Sequence, residues 1–405
     1  MVDLINWWLT PKFPKKHIEI VISYRPQGSW KIIRNYYRTW IVHPIKRRFA
    51  KAYCFILQNF FGMKIIGITG STGKTTTKEM LASILKLDGE TVYSFANIDP
   101  VYNIPTTIFR CKPFTKYLIL EMGVEYLNEM DFYLWLAKPN IGIVTNIYAT
   151  HTSSFGDENG VLKEKSKLAK GLSEDGFAVL NSENTFLQKL KGKLKSDILW
   201  FGDSSNISAS DVSYTQDFKT KFTLHLGDKA VNVLMPIMGK QFVVDALAAS
   251  TGAYALEIPI EMISKGLSGF EAQEHRMNVK KLKSGAILID DSYNNNPAAA
   301  KEAVQTLKDI SENRKTMLVF GDMLELGERE VGYHKEIGSF IKKFNIDYTV
   351  GVGRLSKYVV TDKIFWARSW KEAIPIVKPL LSNNMTVLVK GSRSINLDKL
   401  VDILK

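Results

Sequence analysis

The sequence predicts an α/β protein built of two units, a parallel-sheet domain that binds nucleotide phosphates and a second α/β domain after it. Three observations predict this. A glycine-rich loop, Gly70-Ser71-Thr72-Gly73-Lys74-Thr75-Thr76, stands between an apolar run and a helical pattern. From residue 62 onward short apolar runs alternate with helical patterns, the rhythm of a parallel sheet covered by helices. That rhythm closes near Met277 and then restarts, which divides the chain into 1–61, 62–277 and 278–405.

Residues 1–61 stand apart by charge. They hold eleven Lys or Arg against Asp3 and Glu19, a net +9 out of +13 for the 405-residue chain. Trp7, Trp8, Trp30, Trp40, Tyr36 and Tyr37 are interleaved with these cations and with Lys46-Arg47-Arg48. Such a tract suits an anionic membrane surface or a phosphate-bearing partner; the alternative is a solvated basic face packed through its aromatics onto the next domain. No nucleic-acid-binding module accompanies the charge, so no nucleic acid is expected. The apolar run 52–61 is too short to span a bilayer, and the N-terminus lacks the order of a signal peptide. Two cysteines, Cys54 and Cys111, make no disulfide framework and suit a reducing compartment, so a cytoplasmic location is expected.

Met63 to Ile68 reads as a buried strand and Lys78 to Leu87 as a helix, with the loop between them. Gly70 and Gly73 let the backbone turn its N–H groups inward, Lys74 reaches outer phosphates, and the Thr75 hydroxyl is placed for Mg²⁺. Ile68 stands where the strict spacing has its first glycine, so the loop is a variant. Tyr117 to Leu120, Ile141 to Val144 and Phe177 to Leu180 read as further buried strands. Between 207 and 235 the alternation of Phe222 to Leu226 and of Val231 to Val233 predicts an antiparallel appendage. A helix over Val243 to Leu256 follows. The second unit reads as strand Ala286 to Ile289, helix Pro297 to Ile310, and strands Thr316 to Phe320, Tyr348 to Val352 and Thr386 to Val389.

Polar segments end several of these strands, where open α/β sheets bind ligands. They are Glu121-Met122-Gly123, Thr145-Asn146 with His151, Lys165-Ser166-Lys167, Asp290-Asp291 through Asn294-Asn295-Asn296-Pro297, Gly321 to Gly327, and Lys390-Gly391-Ser392-Arg393. With the loop, and in this order, they resemble the Mur ligases, in particular those that add D-alanyl-D-alanine, from about residue 62 to the C-terminus.

The resemblance implies a central ATPase domain and a Rossmann-like C-terminal domain. It implies an ATP- and Mg²⁺-dependent amide ligase of cell-wall precursor synthesis, which activates a carboxylate as an acyl phosphate and joins it to an amino acid or dipeptide. Its partners would be small molecules and the chain a monomer. By the same resemblance Lys74 and the loop residues 70–76 hold ATP, Thr75 and Glu121 a first Mg²⁺, and His151 with a carbamylated Lys165 a second. Arg276 would reach across the domains, Asp291, Asn295 and Asn296 would hold the nucleotide, and Asn103, Asn146, Lys390 and Arg393 would meet substrates. The family's His-Asn pair is Gln241-Phe242 here, Lys167 stands at a usual Glu, and Asn103 replaces a Gly in the loop 97–105. Residues 1–61 lack the glycine-rich pattern of the family's sugar-nucleotide domain. That leaves open a non-murein or lipid-linked acceptor, or an ATP-binding scaffold without catalysis.

Overall fold

The computed structural model describes residues 14, 16, 17, 30, 34, 37–95, 99–311, 313–359 and 364–405. The aromatic residues Trp7, Trp8 and Tyr36 of the basic tract and Asn97 and Ile98 of the substrate-type loop lie outside them.

Five of the six residues of β1 (Lys64–Thr69) are buried, because both faces of the strand are covered by helices. It sits at the centre of a parallel sheet of order β2-β3-β1-β4-β5-β6. The partners are β2 (Thr91–Tyr93), β3 (Tyr117–Glu121), β4 (Ile141–Val144), β5 (Phe177–Asn181) and β6 (Asp197–Phe201). The register pairs Ile68 with Glu121 and Thr69 with Val144. The strands on either side of β1 therefore end level with the phosphate loop and deliver Glu121 and Thr145-Asn146 to its two flanks.

Upstream of the sheet, α1 (His43–Phe60) follows a π-helical turn over Arg38–Val42. It packs on the central domain through Ala50, Cys54 and Leu57. The packing through aromatics is seen in part: Trp40 and Tyr53 pack against the same core, and Tyr53 donates to the Cys111 carbonyl at 2.8 Å, whereas Phe49, Phe55, Phe60 and Phe61 are exposed, since they lie off the face that Ala50 and Leu57 bury.

Helix α2 (Lys74–Leu85) starts at the loop, and α3 (Pro100–Ile108), α4 (Glu129–Leu136) and α5 (Glu158–Lys165) follow. The appendage is a meander, β7 (Ile207–Tyr214), β8 (Thr220–Leu226) and β9 (Lys229–Met235), antiparallel as the alternation predicts. It backs α6 (Lys240–Tyr254), whose run of small residues, Ala246, Ala249 and Ala253, packs in the same core as Leu81 and Ile84 of α2. Helix α7 (Ile260–Ser268) closes the layer.

The second sheet has the order β10-β11-β15-β12-β13-β14, with only the edge strand β10 (Asn278–Lys281) antiparallel. The others are β11 (Ile287–Asp291), β12 (Lys315–Gly321), β13 (Tyr348–Val352), β14 (Ile364–Ala367) and β15 (Met385–Lys390). Helices α8 (Pro297–Ser311), α9 (Glu330–Lys343), α10 (Trp370–Val377) and α11 (Leu397–Leu404) complete this domain. Asp291 is in register with Lys390. Edge strands β2, β6, β10 and β14 were not expected, and the interior strands were.

Glycine 266 sets how closely α7 approaches α2. A Cβ there would lie 2.5 Å from Ile84 Cα, and Ser83 Oγ donates to the Gly266 carbonyl at 2.8 Å. Gly266→Val is expected to destabilise the protein by about 1–3 kcal/mol, because backbone cannot yield as a side-chain tip can. Denaturant unfolding checks this; a midpoint equal to the parent's would show that the helices are free to separate.

Candidate functional site

Two glycines let the phosphate loop fit where it does. Gly70 has φ 154° and Gly73 φ 77°. A Cβ at 70 would sit 1.9 Å from Thr145 Oγ1, and one at 73 would sit 2.0 Å from Asp245 Oδ1. The loop is wedged between the end of β4 and α6, with no room for any other residue. Asn146 fastens it: its Oδ1 accepts from the Ser71 and Thr72 amides at 3.1 and 2.9 Å, and its Nδ2 donates to Thr72 Oγ1 at 2.8 Å. Thr145 Oγ1 donates to the Thr72 carbonyl at 2.6 Å. Asn146, expected at the substrate, thus spends its hydrogen bonds on the loop.

Lys74 is half-buried and donates to the Gly70 carbonyl at 2.9 Å. Burial lowers its pKa, Glu121 opposes that, and Arg276 reinforces it. Thr75 Oγ1 donates to Glu121 Oε1 at 2.9 Å, and Arg276 Nη2 stands 3.5 Å from the same hydroxyl. Lys78, buried beneath, lies 3.6 Å from Glu121 Oε2. Arg276 lies over the Tyr293 ring at 4.4 Å, and its Nε is buried without a hydrogen-bond partner. An orphaned cationic donor beside a phosphate loop fits a phosphate oxygen.

The donor set also fits Mg²⁺. Among the described residues no group of three or more His, Cys, Asp or Glu could hold a metal by itself. Thr75 and Glu121 offer a hydroxyl and one carboxylate at the loop, which is what Mg²⁺ takes when substrate phosphates and water complete its shell.

His151 has φ 51°, and its Nδ1 pairs with Glu325 Oε2 at 3.1 Å, a contact between the two domains. That hydrogen bond holds the Glu325 carboxyl below its ordinary pKa. Next to it Thr152 Oγ1 donates to the Leu326 carbonyl at 3.1 Å. Lys165 ends α5 and is 1% exposed. Burial, reinforced by the charge of Lys74, holds its pKa well below the ordinary ammonium range. A lowered pKa enlarges the fraction of neutral amine, the form that reacts with CO₂.

One cleft of about 940 Å³ between the domains collects most of the predicted residues: Ser71 to Thr76, Asn103, Glu121, Asn146, His151, Arg276, Asp291, Asn296, Lys390 and Arg393. Gly70, Lys165 and Asn295 do not line it. Asn295 is buried and donates to the Gly321 carbonyl at 2.9 Å, tying its turn to β12, and its neighbours Asn294 and Asn296 face the cleft instead. Lys390, expected to meet the carboxylate of an incoming amine, is 2.5 Å from Asp291 Oδ2 and donates to the Asn294 carbonyl at 3.0 Å. Its charge is matched within the domain, and it shapes the nucleotide turn. Arg393 is 58% exposed and paired with Asp398 at 2.9 Å. Asn103 is buried, donating to the Phe95 carbonyl at 2.9 Å and accepting from Thr107 at 3.0 Å. Phe242 lines the cleft where the family has its Asn.

Several carboxylates of the cleft were not singled out in the sequence, among them Glu125, Glu129, Glu183, Asp245 and Glu302. Glu325 falls within the segment Gly321 to Gly327, but its pairing with His151, remote in sequence, has no local pattern to mark it. Asp245 is a lone carboxylate in the Ala-rich α6, and that isolation was a usable signal. Burial, with Glu302 adding to it, raises its pKa well above the ordinary value. Glu302 is pushed up from 4.5 to about 7, first by burial, with Lys390 opposing and Asp291 adding. A raised carboxyl pKa means that folding favours the proton. The contribution is full below about pH 4.5 and is lost as pH rises through about 7. Glu302→Gln is therefore expected to raise the thermal midpoint at pH 8 and leave it unchanged at pH 4. Melts across pH check this; equal curves for both proteins at every pH would refute it.

Residues 68–253 match the family model of the Mur ligase middle domain, and residues 275–393 that of the Mur ligase glutamate ligase domain. The UDP-N-acetylmuramoyl-tripeptide–D-alanyl-D-alanine ligase of Buchnera aphidicola subsp. Baizongia pistaciae is 35% identical over 84% of this chain and 75% of its own. That of Escherichia coli is 32% identical over 84% and 77%. Among solved structures, MurF from Acinetobacter baumannii superposes with a TM-score of 0.83 at 27% identity, over 89% of this chain and 80% of that one. MurF from Thermotoga maritima in complex with ADP shares the fold, with a TM-score of 0.81 at 22% identity over 89% and 83%. A phosphate loop, a hydroxyl–carboxylate pair and an arginine from across the domain boundary thus stand in a chain that belongs to the Mur ligase family of ATP- and Mg²⁺-dependent amide-forming ligases.

Proposed function

We propose that this chain joins D-alanyl-D-alanine to the terminal carboxylate of a cell-wall peptide precursor. The observation that carries the reading is the meeting of Lys74, Thr75, Glu121 and Arg276 at the domain junction. A carboxylate oxygen of the precursor attacks the γ-phosphorus of ATP, the bond to the β-phosphate oxygen breaks, and ADP leaves. The amine of the dipeptide then attacks the acyl carbon, the bond to the phosphate oxygen breaks, inorganic phosphate leaves, and the nitrogen gives up a proton. Mg²⁺ held by Thr75 and Glu121 supplies charge neutralisation for the phosphates.

The chain's own part is positional and electrostatic. Lys74 and Arg276 repel each other in the folded protein, and a polyphosphate between them offsets that repulsion. Lys165, buried and with its pKa lowered, is poised to become a carbamate, an anion beside Lys74. His151 with Glu325 ties the C-terminal domain to the loop that carries it, so the two halves of the site are assembled together.

The test is phosphate release by the full-length protein with ATP, Mg²⁺, D-alanyl-D-alanine and a UDP-N-acetylmuramoyl tripeptide. Release is expected to require both substrates and to fall about 10²–10³-fold in Lys74→Ala and in Lys165→Arg, which keeps a cation but forms no carbamate. Release that ignores either substrate, or is unchanged in Lys74→Ala, rejects the reading.

The outer face of α1 favours a second feature, peripheral contact with an anionic membrane. Ile41, Ile45, Phe49, Ile56 and Phe60 recur at helical spacing and are all exposed, with Arg48 and the exposed Lys51 on the same helix. An apolar stripe bordered by cations is how a helix lies in a lipid interface. Among the described residues no helix is long and apolar enough to cross a membrane. Full-length protein is expected to sediment with phosphatidylglycerol vesicles, less so at high salt, and a Phe49→Ser, Phe60→Ser double variant to stay in solution. Equal sedimentation of both proteins, or none of either, sinks the membrane contact.

A further inference from the structure

A second cavity, of about 320 Å³, lies where the π-helical turn and the first residues of α1 meet α3. Its wall carries Arg38, His43 and Lys46 and the hydroxyls of Thr39 and Thr106, and among the described residues no carboxylate. Lys46 Nζ donates to Thr106 Oγ1 at 2.8 Å, and that hydroxyl donates in turn to the Tyr102 carbonyl at 2.9 Å, so a neutral contact holds the ammonium on the cavity wall. Arg38 makes no ion pair among the described residues and is exposed at the mouth. The groups act on one another. Burial, then Arg47, Arg38 and Lys46, pushes the His43 pKa down to about 4, and burial, then Arg38 and Arg47, lowers that of Lys46. Cations kept together without an acid gain from an anion.

The cavity also has a position. Asn103 lines it and lines the large interdomain cleft as well. A ligand anchored by an anionic group at Arg38 and Lys46 would therefore sit on the other side of Asn103 from the cleft that contains Lys74. Neither the phosphate loop nor the C-terminal motifs need this cavity, and α1 lies outside both matched family domains.

We infer that Arg38, His43, Lys46 and Thr106 form a phosphate-binding subsite for the acceptor, which therefore carries a phosphate or diphosphate at the end remote from its reacting carboxylate. This rests on the carboxylate-activating reading of the cleft. The diphosphate of a nucleotide-linked peptide and that of a polyprenyl-linked peptide present the same chemistry, and the experiment separates them.

The test compares the full-length protein with an Arg38→Gln, Lys46→Gln double variant of equal thermal midpoint. Phosphate release is measured with three acceptors: the peptide linked to a nucleoside diphosphate, the same peptide on a polyprenyl diphosphate in detergent, and the peptide bearing no phosphate. The variant is expected to raise KM for the preferred phosphorylated acceptor about tenfold or more. Its kcat, its KM for ATP and its KM for the unphosphorylated peptide should match those of the parent. Whichever phosphorylated acceptor shows the rise names the source. In parallel, radiolabelled inorganic diphosphate is dialysed against both proteins with a non-hydrolysable ATP analogue filling the phosphate loop. One equivalent bound by the parent and lost in the variant upholds the subsite even where no acceptor turns over, an outcome that rejects the ligase reading alone. An unchanged KM for phosphorylated acceptors, or no diphosphate bound by the parent, overturns the subsite.

Discussion

The rest of the structure depends on the close confinement of the phosphate loop. At Gly70 and Gly73 the backbone passes so near Thr145 and Asp245 that a single added carbon would overlap an oxygen of either. β4 and α6 can approach from opposite sides only because nothing projects from the loop between them. The approach of α6 in turn needs its alanines, and the antiparallel meander supports α6 from behind. The N-terminus of α2, with Lys74 and Thr75 in its first turn, is thereby fixed at the mouth of the cleft, where its dipole favours negative charge.

The second half of the cleft meets the first through apolar packing, one buried cluster running from Phe242 and Val243 of α6 to Ala300, Val304 and Leu307 of α8, and through polar contacts. These include His151 to Glu325, Thr152 to the Leu326 carbonyl and Thr306 to Gln241 at 3.3 Å, with Arg276 to Thr75 at the boundary itself. Each domain has its own sheet, and a closing motion would have to remake this shared packing as well as the polar contacts. The groups that gather there are mostly charged, and Lys74, Lys165, Asp245 and Glu302 all have pKa values moved by burial. Ligand charge and domain contact are coupled through those groups.

How much of this the sequence discloses follows from where the constraint acts. The loop was legible because a backbone constraint is written as residue type: glycine where no Cβ fits, lysine and threonine at fixed distances after it. Interior strands were legible because burial on both faces makes them continuously apolar. β10, with Asn278, Lys280 and Lys281, and β2, with three residues, hide because edge strands need neither length nor apolarity. Side-chain duties were less legible. Lys390 and Asn146 stood at the right strand ends, yet their partners, Asp291 and the loop amides, come from remote segments, and only the register of the sheets brings them together. Of the two asparagines expected at the nucleotide, Asn296 lines the cleft and Asn295 is turned to β12, while Asn294, not expected there, lines it too. For α1 the charge was evident and the packing was not, since a helix with apolar residues on two faces does not say which one the protein covers.

Asn103 is held at both ends of its amide, by the Phe95 carbonyl on one side and Thr107 on the other, and it belongs to the wall of both cavities. A side chain pinned in that way cannot swing aside. Under the proposed subsite, a chain that spans the interval from the cations of α1 to the loop at Lys74 runs past this pinned side chain, and its contour has to match. Such an interval works as a gauge: it selects a molecule by its length without reading the side chains in between.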